Sequence, residues 1–391
     1  MYKRQGVVNK FQRILGLKIA ENLKEHTTVP KALKPIVFIS HMEHHSNQTS
    51  WIETIADVEV VPCNNAGLIC LDSFEKCILK HQDRPLKIAA ITSCSNVTGI
   101  KTEYHKVAQL IHKHNGLCFV DFACCAPYVD IDMHPKAADA YLDAIYFSPH
   151  KFLGGPGSAG VLVFNKKLYK NTIPDNPGGG TVSYTNPWGE HDYFDDVETR
   201  EDGGTPAFLQ TIKIALAVQL KEKMGVKNIK ERENEINATV FKTLESIPNL
   251  KILAPNHQKR LSIFSFYLEN IHFNLVVKLL NDRYGIQSRG GCSCAGTYGH
   301  YLLNVDQETS HRIKNEILEG CSTEKPGWVR VSFHPTATSA EVAFFCKSIT
   351  ELAQNIENWG KEYCYNPEKN DYEHLSIQPI EQQMVKDWFA V

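Results

Sequence analysis

The chain has 391 residues, with 42 basic and 44 acidic side chains and a formal net charge of −2. This near balance, without a long basic run, argues against nucleic acid and against an anionic membrane surface as partners. The apolar stretches are too short to cross a bilayer, and the length exceeds the size at which a single core keeps growing, so we expect a cytoplasmic protein of two domains.

The first part of the chain alternates short strand-like runs with helical patterns. The strand-like runs are Ile36–Ser40, Val58–Val61, Ile88–Ser93, Leu117–Val120, Ala144–Ser148 and Val161–Phe164. The helical patterns are Val8–Leu17, Ser50–Ile55, Phe74–Leu79 and Tyr104–His114. This alternation predicts an α/β domain with a mostly parallel sheet and right-handed crossovers.

The second part follows a polar, glycine-rich interval that ends at Gly204 and is too long for a simple turn. Its predicted elements are the helices Ala207–Met224, Ile229–Ile247, Phe273–Tyr284 and Ala340–Ile356 and the strands Leu261–Tyr267 and Val329–Phe333. They predict a smaller α+β domain. We place the large domain at residues 1–228 and the small domain at residues 229–391.

Twelve cysteines are present, and most lie in apolar strands or helices, which favours free thiols in a reducing compartment. Cys292 and Cys294 differ because they lie in a glycine-flanked loop, Gly290–Gly296, where a thiol can be exposed. A zinc site made by these two cysteines with His300 and Cys321 is an alternative. We predict no metal, because Cys-x-Cys lacks the usual two-residue gap.

Lys151 closes the run Ser-Pro-His-Lys after the strand at residues 144–148, and Asp121 directly follows the preceding strand. A lysine amine in this position can form a Schiff base with pyridoxal phosphate, and an aspartate can keep the pyridine nitrogen protonated. Both residues would lie at the carboxyl ends of parallel strands, where open α/β sheets bind ligands. The alternative for Lys151 alone is a solvated surface lysine.

Several separated motifs also occur in a recognisable order: Met42–Asn47, Ser95–Gly99, Asp121, Ser148–Gly157, Gly178–Thr181, Gly203–Pro206 and Arg289–Cys294. With these motifs in this order, the chain resembles the class V aminotransferase family, and most of all its cysteine desulfurase and selenocysteine lyase branch. The resemblance implies the pyridoxal-phosphate-dependent transferase fold (fold type I), with a mostly parallel large-domain sheet and a smaller α+β C-terminal domain. It also implies an enzyme with pyridoxal 5′-phosphate as cofactor and a homodimeric state.

The resemblance further implies roles for individual residues. For the cofactor these are Lys151 as the Schiff-base lysine, Asp121 at the pyridine nitrogen, His44 stacked on the ring, Asn96 at the phenolic oxygen, Ser148 and His150 at the phosphate, and Thr205 at the phosphate of the neighbouring subunit. Arg330 is implied as the anchor of the substrate α-carboxylate, and Arg289 either assists it or only braces the cysteine loop. Without the resemblance, Asn96 marks a turn, and Thr205 and Pro206 are the cap and first residue of a helix.

The function implied is removal of sulfur or selenium from an amino acid, giving alanine through an enzyme persulfide, with a sulfur-acceptor protein as a further partner. Cys294 rather than Cys292 is implied as the nucleophile, because it lies five residues after Arg289. Nearby arginines on a flexible loop favour a reactive thiolate. Transamination, another elimination on the same scaffold, and a cofactor-poor scaffold remain open.

Two departures from the family stand out. Members carry a longer segment before the Glu-His-His strand, including a Gly-Thr-Thr loop for the cofactor phosphate. We therefore expect a truncated reading frame in which Met1–Gln5 is foreign to the fold. Cys124 stands where desulfurases of this branch usually have glutamine, and we expect it to be a small apolar filler.

Overall fold

The computed structural model describes residues 4–376 and 381–390. Most of the expected foreign start, Met1–Gln5, lies outside these residues. The chain divides into two compact units, with the boundary between Arg232 and Glu233. The sequence places this division after residue 228, and the assignment of domain roles to the two units stays a prediction.

The first unit is built on a six-stranded sheet in the order β2-β1-β3-β4-β5-β6. Its strands are β1 (Ile36–Ser40), β2 (Asp57–Val61), β3 (Lys87–Thr92), β4 (Leu117–Asp121), β5 (Ala144–Phe147) and β6 (Val161–Phe164). The first five strands in that order pair in parallel, and β6 is antiparallel to β5. Every residue of β1 and β3 is buried, as expected for a parallel sheet covered on both faces. The predicted α/β class is confirmed.

The helices of this unit are α1 (Arg4–Ile14), α2 (His45–Ile52), α3 (Leu71–Lys80), α4 (Tyr104–Lys113), α5 (Val197–Glu201) and α6 (Phe208–Met224), and α7 (Val226–Glu245) crosses the unit boundary. Phe11 of α1 is fully buried, and its ring centroid lies 4.9 Å from that of Phe119 in β4. The helix predicted at Ser50–Ile55 begins earlier, because the His44 ring accepts a hydrogen bond from the Ser46 amide and caps α2. Across the described residues, no helix combines the length and apolar character needed to span a membrane.

The glycine-rich interval contains a two-stranded hairpin, β7 (Val182–Thr185) and β8 (His191–Tyr193), which the sequence does not predict. Glycine at position 203 allows a close approach between segments. A Cβ atom there would lie 2.8 Å from the carbonyl oxygen of Asn176. The next residue, Gly204, donates its amide to the carbonyl of Gly179 at 2.8 Å, so the two glycine-rich segments pack backbone to backbone.

The second unit has an antiparallel sheet in the order β11-β12-β10-β9 and a separate β13-β14 pair. Its elements are β9 (Leu250–Ile252), β10 (Ile263–Leu268), α8 (Phe273–Tyr284), β11 (Arg289–Gly291), α9 (Gly296–Leu302), α10 (Gln307–Leu318), β12 (Trp328–Ser332), α11 (Ser339–Trp359), β13 (Tyr363–Asn366), β14 (Asp371–His374) and α12 (Glu381–Trp388). Phe264 and Phe266 of β10 and Val329 of β12 are fully buried in its core. A capping box between Thr338 and Glu341 starts α11.

Candidate functional site

Four neighbouring parallel strands present predicted cofactor residues at their carboxyl ends. His44 follows β1, Asn96 follows β3, Asp121 ends β4 and Lys151 follows β5. These strands are adjacent in the order β1-β3-β4-β5. Because parallel strands end at the same edge of a sheet, their side chains are gathered along one edge, which we call the strand-end edge.

Asp121 is held rigidly at this edge. It is 2% exposed and pairs in register with Thr92 of β3 and Tyr146 of β5. One carboxylate oxygen accepts the Ala123 amide at 2.9 Å. The main-chain carbonyl of Asp121 accepts both the amide and the hydroxyl of Ser93, at 2.9 and 2.8 Å. The carboxylate therefore has a fixed position between the two flanking strands.

Lys151 lies on a single 3-10 turn that follows β5. Its amide donates to the carbonyl of Ser148 at 3.1 Å, and Ser148 is buried while Lys151 is exposed. His150, between them, is half-buried. The turn requires glycine at position 155, because a Cβ atom there would lie 1.9 Å from the carbonyl oxygen of Pro149. The motif after the lysine thus fixes the backbone from which its side chain projects.

Asn96 lies in a turn organised by its neighbour Ser95. The Ser95 hydroxyl accepts the amides of Val97 and Thr98 at 3.1 and 3.2 Å, and Asn96 itself is half-buried. The thiol of Cys124 donates to the carbonyl of Ser95 at 3.6 Å. Cys124 therefore packs directly beside the Asn96 turn.

Sequence reasoning missed Glu43, the residue before His44. It is 1% exposed, and its Oε1 accepts the Ser40 amide at 3.3 Å, the Ser40 hydroxyl at 2.5 Å and the Thr92 amide at 2.8 Å. Its Oε2 accepts the Asn47 amide group at 2.7 Å. Burial raises the pKa of Glu43 to about 7, against the lowering effect of these donors, and the nearby Asp121 carboxylate adds to the rise.

Asn47 extends this contact to strands β3 and β5. Its Oδ1 accepts the Tyr146 hydroxyl of β5 at 2.6 Å and the Trp51 indole at 3.3 Å. Its Nδ2 also donates to the carbonyl of Ala90 in β3 at 3.1 Å. Glu43 and Asn47 lie four residues apart in the Glu-His-His-Ser-Asn motif, on either side of the α2 N-cap His44, and this polar motif was the available sequence signal.

In the second unit, Cys294 lies on a strained loop. Ser293 and Cys294 both have left-handed backbones, with φ of 52° and 58°. The loop is closed by a hydrogen bond from the Ala295 amide to the Cys292 carbonyl at 2.9 Å. The guanidinium of Arg289 donates to the Cys294 sulfur at 2.9 Å. Positive charge therefore contacts the sulfur of Cys294.

Arg289 and Arg330 are directly opposite each other in the ladder between β11 and β12. Two like charges in such a pair are unfavourable unless an anion compensates them. Arg330 is half-buried and Arg289 is exposed. The predicted carboxylate anchor and the predicted supporting arginine thus come together on one sheet of this unit.

Thr205 is exposed in the loop before α6. The helix begins at Phe208 with Ala207 as its N-cap, so Thr205 and Pro206 do not start it. The plain capping interpretation of this segment is therefore wrong. The role of Thr205 toward a neighbouring subunit stays a prediction.

The zinc alternative finds no support. His300 uses both ring nitrogens, toward the Gly296 carbonyl and the Ser310 hydroxyl, each at 2.8 Å. Within residues 4–376 and 381–390, no three His, Cys, Asp or Glu side chains lie close enough together to hold a metal ion. All twelve cysteines belong to these residues and are free.

The aminotransferase class-V family profile matches residues 19–345. A probable cysteine desulfurase of Staphylococcus epidermidis is 30% identical over 263 residues, which cover 66% of this chain and 61% of that protein. A cysteine desulfurase of Shigella sonnei is 30% identical over 263 residues, covering 66% of this chain and 62% of that protein. The matches thus span less than two thirds of these relatives.

Solved structures show the same fold at lower identity. The apo cysteine desulfurase of Thermococcus onnurineus superposes with a TM-score of 0.69 at 21% identity, covering 90% of this chain and 78% of that one. An Escherichia coli cysteine desulfurase gives a TM-score of 0.69 at 19% identity, with the same coverage of 90% and 78%. The chain belongs to the class-V aminotransferase family of pyridoxal-phosphate-dependent enzymes, and its relatives confirm the predicted cysteine desulfurase branch.

Proposed function

We propose that this protein removes sulfur or selenium from cysteine or selenocysteine and releases alanine. The observation that carries the proposal is the alignment of His44, Asn96, Asp121 and Lys151 at four adjacent strand ends. The choice of a desulfurase within the family rests on the contact between Arg289 and Cys294.

The chemistry of the strand-end edge fits pyridoxal phosphate group by group. Lys151 supplies the amine for the cofactor aldehyde, and the buried Asp121 carboxylate suits a protonated ring nitrogen. The Asn96 amide suits the phenolic oxygen, and the His44 imidazole suits the ring face. The hydroxyl of Ser148 and the imidazole of His150, beside Lys151, suit the phosphate. When bound, the cofactor supplies an electron sink for the substrate carbon.

Cys294 would accept the sulfur. Its sulfur attacks the sulfur of the substrate, the carbon–sulfur bond breaks, and the electron pair stays with the substrate carbon, which then takes up a proton. Cysteine and the Cys294 thiol thus give alanine and a Cys294 persulfide, with no external oxidant. Arg289 brings positive charge to the reacting sulfur, and the Arg330 guanidinium suits bidentate binding of the substrate carboxylate.

The test is an absorption spectrum of the purified protein with added cofactor, followed by amino-acid screening with dithiothreitol present to release sulfide from the persulfide. Equal amounts of alanine and sulfide from cysteine, or alanine and selenide from selenocysteine, are expected. A keto acid in place of alanine would support the transamination alternative. Absence of any bound cofactor would overturn the proposed desulfurase activity and favour the cofactor-poor scaffold.

We also propose a homodimer, supported by an exposed apolar face on α6. Its residues Phe208, Leu209, Ile212 and Leu216 are 62%, 77%, 55% and 60% exposed. Apolar patches of this kind on soluble proteins commonly mark interaction surfaces. Light scattering should show a dimer for the natural protein and a monomer for Leu209→Lys combined with Leu216→Lys. Leu318→Lys, which changes a leucine that is 75% exposed on α10, is the matched control.

A persulfide on the Cys294 loop is also suited to transfer to another thiol, so we propose a sulfur-acceptor protein as a further partner. Mass spectrometry can detect sulfur passed from the persulfide-loaded protein to a candidate acceptor.

The free thiols fit a reducing compartment, and we propose a cytoplasmic location on that ground.

A further inference from the structure

Glu43 is a buried ionisable residue that the proposed chemistry does not use. Four donors converge on its two carboxylate oxygens, two from Ser40 and one each from Thr92 and Asn47. A carboxylate accepts at both oxygens, whereas an amide must point a donor at one of them. The arrangement therefore requires an acidic residue rather than any polar residue of that size.

The contacts of Glu43 fix the segment that precedes His44. Its bonds to Ser40 close the turn after β1, and the Met42 amide donates to the Ser40 hydroxyl at 3.2 Å within the same turn. Its bond to Thr92 fastens this turn to β3. The His44 ring is fixed from the other side, since its Nδ1 accepts the Ser46 amide at 3.1 Å. The imidazole thus depends on Glu43 for its place at the strand-end edge.

The same network reaches the strand that leads to Lys151. Asn47 connects Glu43 to the hydroxyl of Tyr146, and Tyr146 lies opposite Asp121 in the β4-β5 ladder. Tyr146 and Asn47 are both fully buried. We infer that Glu43 is a positioning residue that holds His44 and the end of β5 in register through Asn47 and Tyr146. The effect of this positioning on cofactor binding rests on the proposed function.

The charge of Glu43 gives a second effect. Asp121 on β4 is the ionisable neighbour whose charge acts on Glu43. The other elements offer Glu43 uncharged donors: the Ser40 amide and hydroxyl from β1, the Thr92 amide from β3 and the Asn47 side-chain amide from α2. The Tyr146 hydroxyl of β5 is the next titratable group along the network, through Asn47, and the His44 ring, which accepts the Ser46 amide, is the next residue in the chain. An ionised Glu43 favours the protonated form of any titratable group bound beside Asp121, because negative charge stabilises nearby protonated groups.

The first test needs no cofactor. Hydrogen exchange followed by mass spectrometry should be faster in Glu43→Gln both at residues 40–47 and at residues 144–151. Tyr146→Phe, which keeps Glu43 in place, should loosen residues 144–151 and α2 but not residues 40–43. An increase confined to residues 40–47 in Glu43→Gln would overturn the link to β5.

The second test uses added pyridoxal phosphate and its visible absorption. Glu43→Gln should raise the cofactor dissociation constant about tenfold, the effect of losing one hydrogen bond to a charged group. It should also move the pH midpoint of the bound cofactor's absorption about half a unit lower, because a negative charge is removed. Unchanged affinity and midpoint would overturn the positioning role.

Asp143→Asn is the matched control. Asp143 is a buried carboxylate directly before β5, at the other edge of the same sheet, and accepts the Cys118 amide at 2.8 Å and the His112 ring at 2.9 Å. This variant should lose stability but keep the absorption midpoint and the exchange of residues 40–47. If the natural protein binds no cofactor, the proposed function fails, and the exchange pattern alone decides the positioning role.

Discussion

The strand-end edge of the first unit and the cysteine loop of the second hold their functional side chains in opposite ways. Asp121 is 2% exposed and fixed through both its side chain and its main chain. Cys294 is half-buried on a loop with a left-handed backbone, and its sulfur accepts a hydrogen bond from the exposed Arg289. Rigid elements suit a group that must stay in register, whereas a loop suits a group that moves during the reaction.

Substitutions in these two regions should therefore have different effects. Changes at the strand-end edge should affect cofactor binding or the chemistry that the bound cofactor supports, and those within the buried network should also affect stability. Changes in the cysteine loop should affect turnover and leave the cofactor in place.

Lys151→Ala should have the largest effect, a loss of alanine formation of about 10³-fold or more, because the cofactor loses its attachment and the site loses its amine. Kinetics with cofactor in excess measure it. Lys167→Ala is the control, since Lys167 is exposed after the antiparallel strand β6 and should be neutral. Retained turnover in Lys151→Ala would contradict the role of the strand-end edge.

Cys294→Ala should reduce sulfide release from cysteine by about 10²-fold or more while leaving cofactor absorption unchanged. The reason is that the change removes the sulfur acceptor and alters none of the residues proposed to hold the cofactor. Cys292→Ala, two residues away on the same loop, should keep the activity and the persulfide adduct. The reverse pattern would assign the nucleophile to Cys292.

Asp121→Asn should keep bound cofactor but lower turnover by about 10²-fold, because a neutral amide stabilises a protonated ring nitrogen poorly. Cofactor absorbance and alanine formation, measured on the same sample, separate the two effects. Turnover equal to that of the natural protein would show that the buried carboxylate has no electronic role.

Glu43 should give the smallest change in turnover and a pH-dependent change in stability. Its pKa in the folded protein is about 7, against an ordinary value of 4.5, so the folded state holds this proton more tightly than the unfolded chain. The stabilisation of the folded state by this proton is therefore greatest below the ordinary pKa of 4.5 and is lost as the pH rises to about 7.

Denaturant titrations test this by comparing the natural protein with Glu43→Gln across that range. The difference in free energy of unfolding, natural protein minus variant, should fall by roughly 2 to 3 kcal/mol with rising pH and then stay constant. A difference that does not vary with pH would contradict the raised pKa.

The sequence predicted the sheet of the first unit well because its strands are short apolar runs separated by clear helical patterns. Strand Ile36–Ser40 has the predicted bounds. The α2 helix was misplaced because its first residues, His-Ser-Asn-Gln-Thr-Ser, are polar and its start depends on a histidine ring as cap. The β7-β8 hairpin was missed because glycine and proline dominate the surrounding segment.

The candidate site was predictable where a residue ends a strand and hidden where its importance depends on burial. Asp121 and Lys151 follow apolar runs, so their spacing alone indicated a shared edge. Glu43 was overlooked because four donors from β1, β3 and α2 reach it only in the folded chain. The pairing of Arg289 with Arg330 likewise depends on strand register, which short strands separated by two helices do not reveal.

The central claim is that the strand-end edge binds pyridoxal phosphate through Lys151. Its most direct test is borohydride reduction of the cofactor-loaded protein, followed by proteolysis and mass spectrometry of the peptides. The account predicts one phosphopyridoxyl adduct, on Lys151, that is absent from Lys151→Ala and present in Lys167→Ala. An adduct on another lysine, or no adduct at saturating cofactor, would contradict it.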